Sequence, residues 1–122
     1  MPCETSIAKE DDCLRVLVTG MIDLEAGKQL ARTAHAACIQ HQCPRVLIDA
    51  RGAAQKLSIV DLASLGEFCS LLEPRVFMKT ALVLLESQIL PDRFFEKVVQ
   101  NRGVNLQVFT DTGEALTWLR SV

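Results

Sequence analysis

A serine at the predicted start of a helix is the residue in this chain best placed to do chemistry. Ser58 stands three residues before Asp61, which is the spacing of a helix N-cap followed by an acidic residue in the first turn. The backbone N–H groups and the positive dipole end of such a turn favour a phosphate or another anion. Ser58 is therefore a phosphorylation candidate, although the same residues also fit a serine that does no more than cap the helix.

Charged residues just before this serine form a second candidate group. Asp49 and Arg51 follow the apolar run Val46–Ile48, which predicts a central strand. Open α/β sheets bind ligands at the carboxyl ends of their strands, so Asp49 could hold a cation or a polar ligand there. Arg51, or Lys56 in the polar loop expected after the strand, could receive an anion. We expect Asp49 and Arg51 to shape the surroundings of Ser58. The alternative is structural: Asp49 accepts hydrogen bonds from the loop, and Arg51 is solvated.

Metal-binding and catalytic residue types are present without the spacing that their chemistry needs. His35, Cys38 and His41 follow one another at intervals of three residues, and the last two fall on the apolar side of the predicted helix. These intervals spread the side chains over a wide arc, so we expect core packing instead of a zinc site. There is also no GxSxG elbow, no phosphate-cradling glycine loop and no tyrosine. We therefore predict no metal, no cofactor, no catalytic residue and no enzymatic activity.

The second predicted helix carries apolar residues on two sides. Its core side repeats at helical spacing and consists of Leu62, Leu65, Gly66, Cys69 and Leu72. Other residues fall away from that side, and these are Val60, Ser64, Glu67, Phe68 and Leu71. Apolar residues on an outward helix face mark a partner-binding surface, unless a neighbouring helix or loop covers them. The sequence supports both interpretations equally.

The third predicted helix supports an alternative function. Its apolar residues lie above basic ones, with Phe94, Phe95, Val98 and Val99 over Arg93, Lys97 and Arg102. An amphipathic helix of this kind could gate a pocket for a lipid or small apolar ligand, or touch a membrane surface. Ordinary core packing accounts for the pattern equally well.

The composition is that of an ordinary globular domain. The chain has 122 residues, of which 49% are hydrophobic, and a net charge of −2, so we expect a single domain over residues 1–122. No basic cluster with aromatic residues suggests nucleic-acid binding, and no apolar run is long enough for an integral membrane protein. No secretory signal is visible, and the five cysteines form no CxxC pair. We therefore predict reduced thiols in the cytoplasm, with Cys13, Cys38 and Cys69 buried.

The order of elements along the chain predicts an α/β fold. Two short strands, Thr5–Lys9 and Leu14–Ile22, suggest an N-terminal β-hairpin. Helices are then predicted over residues 23–42, 59–72, 91–103 and from 111 onward, and strands over 46–49, 76–86 and 106–109. Because these helices and strands alternate, we expect about five strands in a mixed, largely parallel sheet with four helices.

These elements, with the segment from Asp49 to Ser58, resemble a STAS domain, the fold of anti-sigma-factor antagonists, and most closely its divergent SpoIIAA-like branch. The resemblance covers nearly the whole chain and rests on residues 20–23 (GMID), 46–49 (VLID), 79–83 (KTALV), 108–111 (VFTD) and 114–119 (EALTWL). It implies a non-enzymatic regulatory module that binds a protein partner, such as a regulatory kinase or a sigma-pathway protein. A more distant resemblance to the Sec14-type lipid-binding fold implies the alternative, a carrier or sensor of a lipid or small apolar ligand.

The resemblance also implies a switch. In STAS antagonists a kinase phosphorylates a serine or threonine in an Asp-Ser-Ser-Gly-like motif at the start of the second helix, and Ser58 matches by position. Here Lys56 and Leu57 replace the Asp-Ser lead-in, and Ile59 and Val60 follow the serine. The same region meets the partner in STAS domains, which agrees with the outward residues of the second helix. The sequence leaves a homo-oligomer open.

Overall fold

The computed structural model describes residues 3–10, 12–72 and 79–121, and these contain one five-stranded sheet. Its strands are β1 (Glu4–Lys9), β2 (Leu14–Ile22), β3 (Arg45–Gln55), β4 (Lys79–Val83) and β5 (Leu106–Phe109). Its helices are α1 (Leu24–His41), α2 (Ile59–Leu71), α3 (Ile89–Asn101) and α4 (Thr112–Arg120), with a short 3-10 turn at Glu86–Gln88. The strands follow one another across the sheet in chain order.

The pairing of the strands confirms the predicted mixed topology. β1 and β2 pair antiparallel as a hairpin, whereas β2, β3, β4 and β5 are parallel neighbours. Parallel neighbours need a long crossover that returns the chain to the same end of the sheet, and helices lie in these crossovers. The predicted α/β fold, with its N-terminal hairpin and four helices, is thus confirmed for the described part of the chain.

The core consists of two layers, one on each face of the sheet. Val46 and Ile48 of β3 face a cluster that includes Leu62 of α2 together with residues of α1 and α3. Leu47, which lies between them, points the other way and packs in a second cluster with Leu119 of α4. The helices α1, α2 and α3 therefore cover one face of the sheet, and α4 covers part of the opposite face.

Local residues begin α1 and α4 where the sequence predicts, whereas α3 begins at Ile89, two residues before the predicted start, and ends at Asn101. Asp23 accepts the backbone N–H of Ala26 at 2.8 Å and begins α1. Asp111 accepts the backbone N–H of Glu114 at 2.9 Å and begins α4. Gly103 follows the end of α3 with a φ of +86°, a conformation that favours glycine. None of the described helices has the length and apolarity that crossing a membrane requires.

The third strand is longer than predicted. β3 does not end at Asp49 but continues to Gln55, because its second half pairs in parallel with the end of β2 from Thr19 to Ile22. The pairing contains a register shift, so one extra residue of β3 is accommodated there. The polar loop predicted around Arg51 is therefore part of the sheet.

Two other predictions also need correction. The strand predicted over residues 76–86 corresponds to the shorter β4, which spans Lys79–Val83, and residues 76–78 lie outside the described part of the chain. His41, expected on the apolar side of the first helix, is exposed. It is the last residue of α1, where the helix leaves the sheet and no longer packs on the core.

The five cysteines are all described and all unpaired. Cys13 and Cys38 are buried as predicted, whereas Cys69 is only half-buried. Burial raises the pKa of the Cys38 thiol to about 12 and that of the Cys69 thiol to about 11. Both thiols therefore stay protonated near neutral pH and pack as small apolar groups.

Candidate functional site

Ser58 begins α2 through a reciprocal pair of hydrogen bonds. Its Oγ accepts the backbone N–H of Asp61 at 3.1 Å, and the Asp61 carboxylate accepts the backbone N–H of Ser58 at 3.0 Å. This capping box satisfies two N–H groups that have no partner within the helix, which confirms the predicted N-cap. The side chain of Ser58 is exposed, so its hydroxyl is accessible from solvent.

Exposed apolar side chains flank the Ser58 hydroxyl. Ile59 and Val60, the next two residues, are 65% and 74% exposed. Lys56 precedes the serine and is exposed as well, while its backbone N–H donates to the Ile22 carbonyl at 2.8 Å and fixes the loop that enters α2. A negative charge added at Ser58 would therefore lie next to an apolar surface, with one lysine on the other side.

Asp49 and Arg51 form an ion pair on β3 and leave no open ligand site between them. The Arg51 guanidinium donates to both carboxylate oxygens of Asp49, from Nε at 3.0 Å and from Nη2 at 2.8 Å. The backbone N–H of Arg51 adds a third hydrogen bond at 3.2 Å. These bonds hold the pKa of Asp49 below its usual value. An incoming anion or cation would have to compete with this pair.

The ion pair lies on the opposite face of the sheet from α2. Because side chains alternate along a strand, those of Asp49 and Arg51 point to the same face as Leu47, which is the face that α4 covers. Beyond the hydrogen bonds of the pair, the Arg15 charge also lowers the pKa of Asp49, and the Asp111 charge raises that of Arg51, so both charges lie on this side. Asp49 and Arg51 therefore lie on the face of the sheet opposite α2, in a segment that remains a strand where the sequence suggested a loop.

The outward side of α2 presents a stripe of residues with exposed ends and a half-buried Ser64. Val60, Ser64, Glu67 and Leu71 recur at intervals of four, three and four residues, which places them along one side of the helix. Val60 and Leu71, at its two ends, are 74% and 78% exposed. At a rise of about 1.5 Å per residue they lie about 16 Å apart along the helix axis. We call these four residues the outer stripe, which has apolar ends and a polar middle.

Phe68 belongs to the contact between α1 and α2 and lies beside the outer stripe. Its ring is half-buried beneath Arg32, whose guanidinium carbon is 4.9 Å from the ring centroid. The Lys28 ammonium is 5.9 Å from the same centroid. Cations over an aromatic ring stabilise this packing of two helices. For Phe68, the alternative that a neighbouring helix covers the side chain is thus the correct one.

The histidines and the cysteine of α1 do not converge. Cys38 is buried, His35 is half-buried and His41 is exposed, so the three side chains lie in different surroundings. Within residues 3–10, 12–72 and 79–121 there is no group of three or more metal-ligating side chains. Of these three side chains, that of Cys38 packs in the core.

The exposure of Ile59 beside Ser58 and the burial of Glu96 in α3 were missed at the level of sequence. Ile59 extends the apolar surface beside Ser58, and its place as the first residue of α2 could have revealed this exposure. Glu96 of α3 is buried and accepts the Val108 N–H at 2.6 Å and an Nη1–H of Arg93 at 3.0 Å. The Glu96 carboxylate thus pairs with a backbone N–H of the edge strand β5. No local sequence pattern distinguishes this residue from a solvent-facing glutamate.

Comparison of the sequence with protein-family models and with curated proteins gives no match. The structure, however, is similar to solved structures over almost its whole length. An anti-sigma factor antagonist from Mycobacterium paratuberculosis has a TM-score of 0.65 at 19% identity, covering 98% of this chain and 96% of that chain. An uncharacterised protein with a SpoIIAA-like fold from Shewanella loihica has a TM-score of 0.59 at 21% identity, with coverage of 96% and 93%. The anti-sigma factor antagonist SpoIIAA, in its unphosphorylated form, has a TM-score of 0.54 at 14% identity, with coverage of 98% and 100%.

These three structures match the chain nearly end to end, so the similarity extends over the whole arrangement of strands and helices. It includes the N-terminal strand pair, the mixed five-stranded sheet and the four helices described above. At identities of 14–21%, the similarity concerns the fold. The chain is a divergent domain with the SpoIIAA-like, or STAS, fold.

Proposed function

We propose that this chain is a non-enzymatic regulatory module that binds a protein partner through the outer stripe and first turn of α2. The observation that carries the proposal is the exposure of Val60 and Leu71 at 74% and 78%. A helix packed on one core normally has apolar residues on one side, whereas α2 has them on both. Structural neighbours that are anti-sigma factor antagonists support a protein as the partner. We place the module in the cytoplasm, where its five unpaired cysteines would stay reduced.

The chemistry of the outer stripe specifies what the partner must offer. Val60 and Leu71 require two apolar pockets about 16 Å apart along the helix. Ser64 and Glu67 lie between them and require a hydrogen-bonding group and a cation. Complete burial of each apolar side chain would contribute about 1.5–3 kcal/mol to binding. The two ends of the stripe can therefore supply most of the affinity, and its middle the selectivity.

We further propose that phosphorylation of Ser58 switches this surface off. A phosphate adds about −1.5 to −2 charges at pH 7. The helix dipole favours that charge, and Lys56 offsets part of it, whereas the Asp61 carboxylate in the capping box repels it. The phosphate would also lie beside the exposed Ile59 and Val60. Burial of these two side chains in an interface would remove water from the phosphate, which costs free energy. The modified form should therefore bind the partner more weakly.

The alternative from the sequence is a carrier or sensor of a lipid or small apolar ligand, and the interior of the domain does not favour a lipid. The cavity on the helix-covered side of the sheet has a volume of about 110 Å³. Pockets for drug-sized ligands usually measure about 300–1,000 Å³, and a lipid needs at least as much space. Of the α3 residues expected at a pocket gate, Phe95 lines this cavity, but Phe95 and Val99 are both buried in the core. We therefore retain the protein-binding function.

Affinity capture of the tagged full chain from its native cells, with phosphosite mapping in the same sample, tests both parts of the proposal. The wild type and an Ile39→Asp control should capture the same partner, because Ile39 is an exposed apolar residue of α1 outside the outer stripe. The double variant Val60→Asp/Leu71→Asp should lose it. Equal capture by the double variant would exclude the outer stripe as the interface. A Ser58 that is unmodified in every fraction would exclude the switch and leave the interface standing.

A further inference from the structure

We propose that the domain binds one small, uncharged apolar molecule in the cavity between the inner side of α2 and the sheet. This cavity of about 110 Å³ is lined by residues of α1, α2, α3 and the strands from β2 to β5 and is partly open to solvent. Among the described lining residues, Gln55 and Thr80 alone carry a side-chain oxygen or nitrogen. The described lining offers no charged group, so an ionic ligand would lose its hydration without gaining a counter-ion.

The exposure of Leu82 shows that the helices leave a gap over the sheet. Leu82 lies in β4, between β3 and β5, and points to the same face as Thr80. Although it sits in an interior strand, it is only half-buried. Its neighbours on the opposite face, Ala81 and Val83, are completely buried beneath α4. A central aliphatic side chain that stays accessible marks incomplete packing on its own side.

Small side chains line part of this gap. Ala31 and Ala34 of α1 and Ala50 of β3 all line the cavity, and none of them reaches far into it. An apolar cavity of about 150 Å³ in another protein stays dry and binds benzene. The cavity here is of similar size and polarity, and filling it would restore the contacts that its lining lacks. The ligand class is therefore a molecule of about the size of benzene, or a short alkyl group.

Benzene itself is the direct probe. Titrated into the full-length wild type, it should shift the methyl NMR signals of Leu62, Leu65 and Leu82 in a saturable manner, because these residues line the cavity. The signals of Leu71, which is 78% exposed, should not move. At ten times the Kd of benzene, the equilibrium constant for unfolding should fall about elevenfold. The absence of saturable shifts at the lining leucines, or equal shifts at Leu71, would overturn the proposal.

A matched pair of variants separates binding in the cavity from binding at the surface. Ala50→Val adds two methyl groups at a buried, cavity-lining position of β3 and should weaken benzene binding at least tenfold. Ala54→Val makes the same change at an exposed position of the same strand and should leave the affinity unchanged. Unchanged affinity in Ala50→Val would place benzene elsewhere and contradict the assignment. If Ala50→Val does not fold, the methyl shifts of the wild type decide the question.

Discussion

Replacement of Ser58 by alanine removes one hydrogen bond from the start of α2. In the wild type, Ser58 Oγ accepts the Asp61 N–H at 3.1 Å. The Asp61 carboxylate can still accept the backbone N–H of residue 58, so half of the capping box survives. Loss of a serine N-cap costs about 1 kcal/mol, within a range of about 0.5–2 kcal/mol. We therefore expect the free energy of unfolding to fall by about 1 kcal/mol and the Tm by about 4 °C.

Urea denaturation followed by circular dichroism measures this difference in the free energy of unfolding. Ser58→Asn keeps an N-cap acceptor and should be nearly as stable as the wild type. Ser64→Ala is the matched control, because it makes the same change in the interior of the same helix, where alanine has the higher helix propensity. No loss in Ser58→Ala, or an equal loss in Ser64→Ala, would refute the capping argument.

Three further predictions concern other contacts. Arg51→Gln removes the group that lowers the pKa of Asp49, so NMR titration should show this pKa rising towards about 3.9. In the wild type, the stability from this pair is present above about pH 3.9 and is lost as the pH falls through the lower pKa of the folded state. Glu96→Ala leaves a buried backbone N–H of β5 without its acceptor and should cost about 1–3 kcal/mol in urea denaturation. Gly66→Ala places a Cβ 2.5 Å from Val98 Cγ1 and should cost about 1–3 kcal/mol, part of which Val98→Ala in the same chain should restore.

Each of these three predictions has its own contrary outcome. An Asp49 pKa that is the same in wild type and Arg51→Gln would mean that the ion pair does not persist in solution. A Glu96→Ala variant as stable as the wild type would mean that the Val108 N–H does not need the Glu96 acceptor. A Gly66→Ala variant more stable than the wild type would mean that α2 and α3 can move apart to accommodate the methyl group with no loss of stability.

The order and the boundaries of most elements could be predicted because their signals are local. Asp23, Ser58 and Asp111 each accept an N–H three residues further along the chain, and such caps are recognisable from spacing alone. Gly103 supplies the positive φ two residues after the last residue of α3. Ser58 could be recognised as a helix start for the same reason, because its capping partner is only three residues away.

Features that depend on distant parts of the chain could not be predicted in the same way. The length of β3 follows from its pairing with the end of β2, and that pairing decides which face carries Asp49 and Arg51. The burial of Phe68 depends on Arg32, which comes from another helix. Periodicity correctly placed Leu71 on an outward face, because exposure there depends only on the position around α2.

The central claim, that the outer stripe of α2 is a protein interface, is tested most directly by the Kd of the purified partner obtained by affinity capture. Isothermal titration calorimetry would compare the wild type, Val60→Asp/Leu71→Asp and the Ile39→Asp control, after circular dichroism has shown that all three are folded. Loss of two buried apolar side chains, at about 1.5 kcal/mol or more each, should raise the Kd of the double variant at least about 100-fold. The control should bind like the wild type. A double variant whose Kd stays within about threefold of the wild-type value would contradict the account.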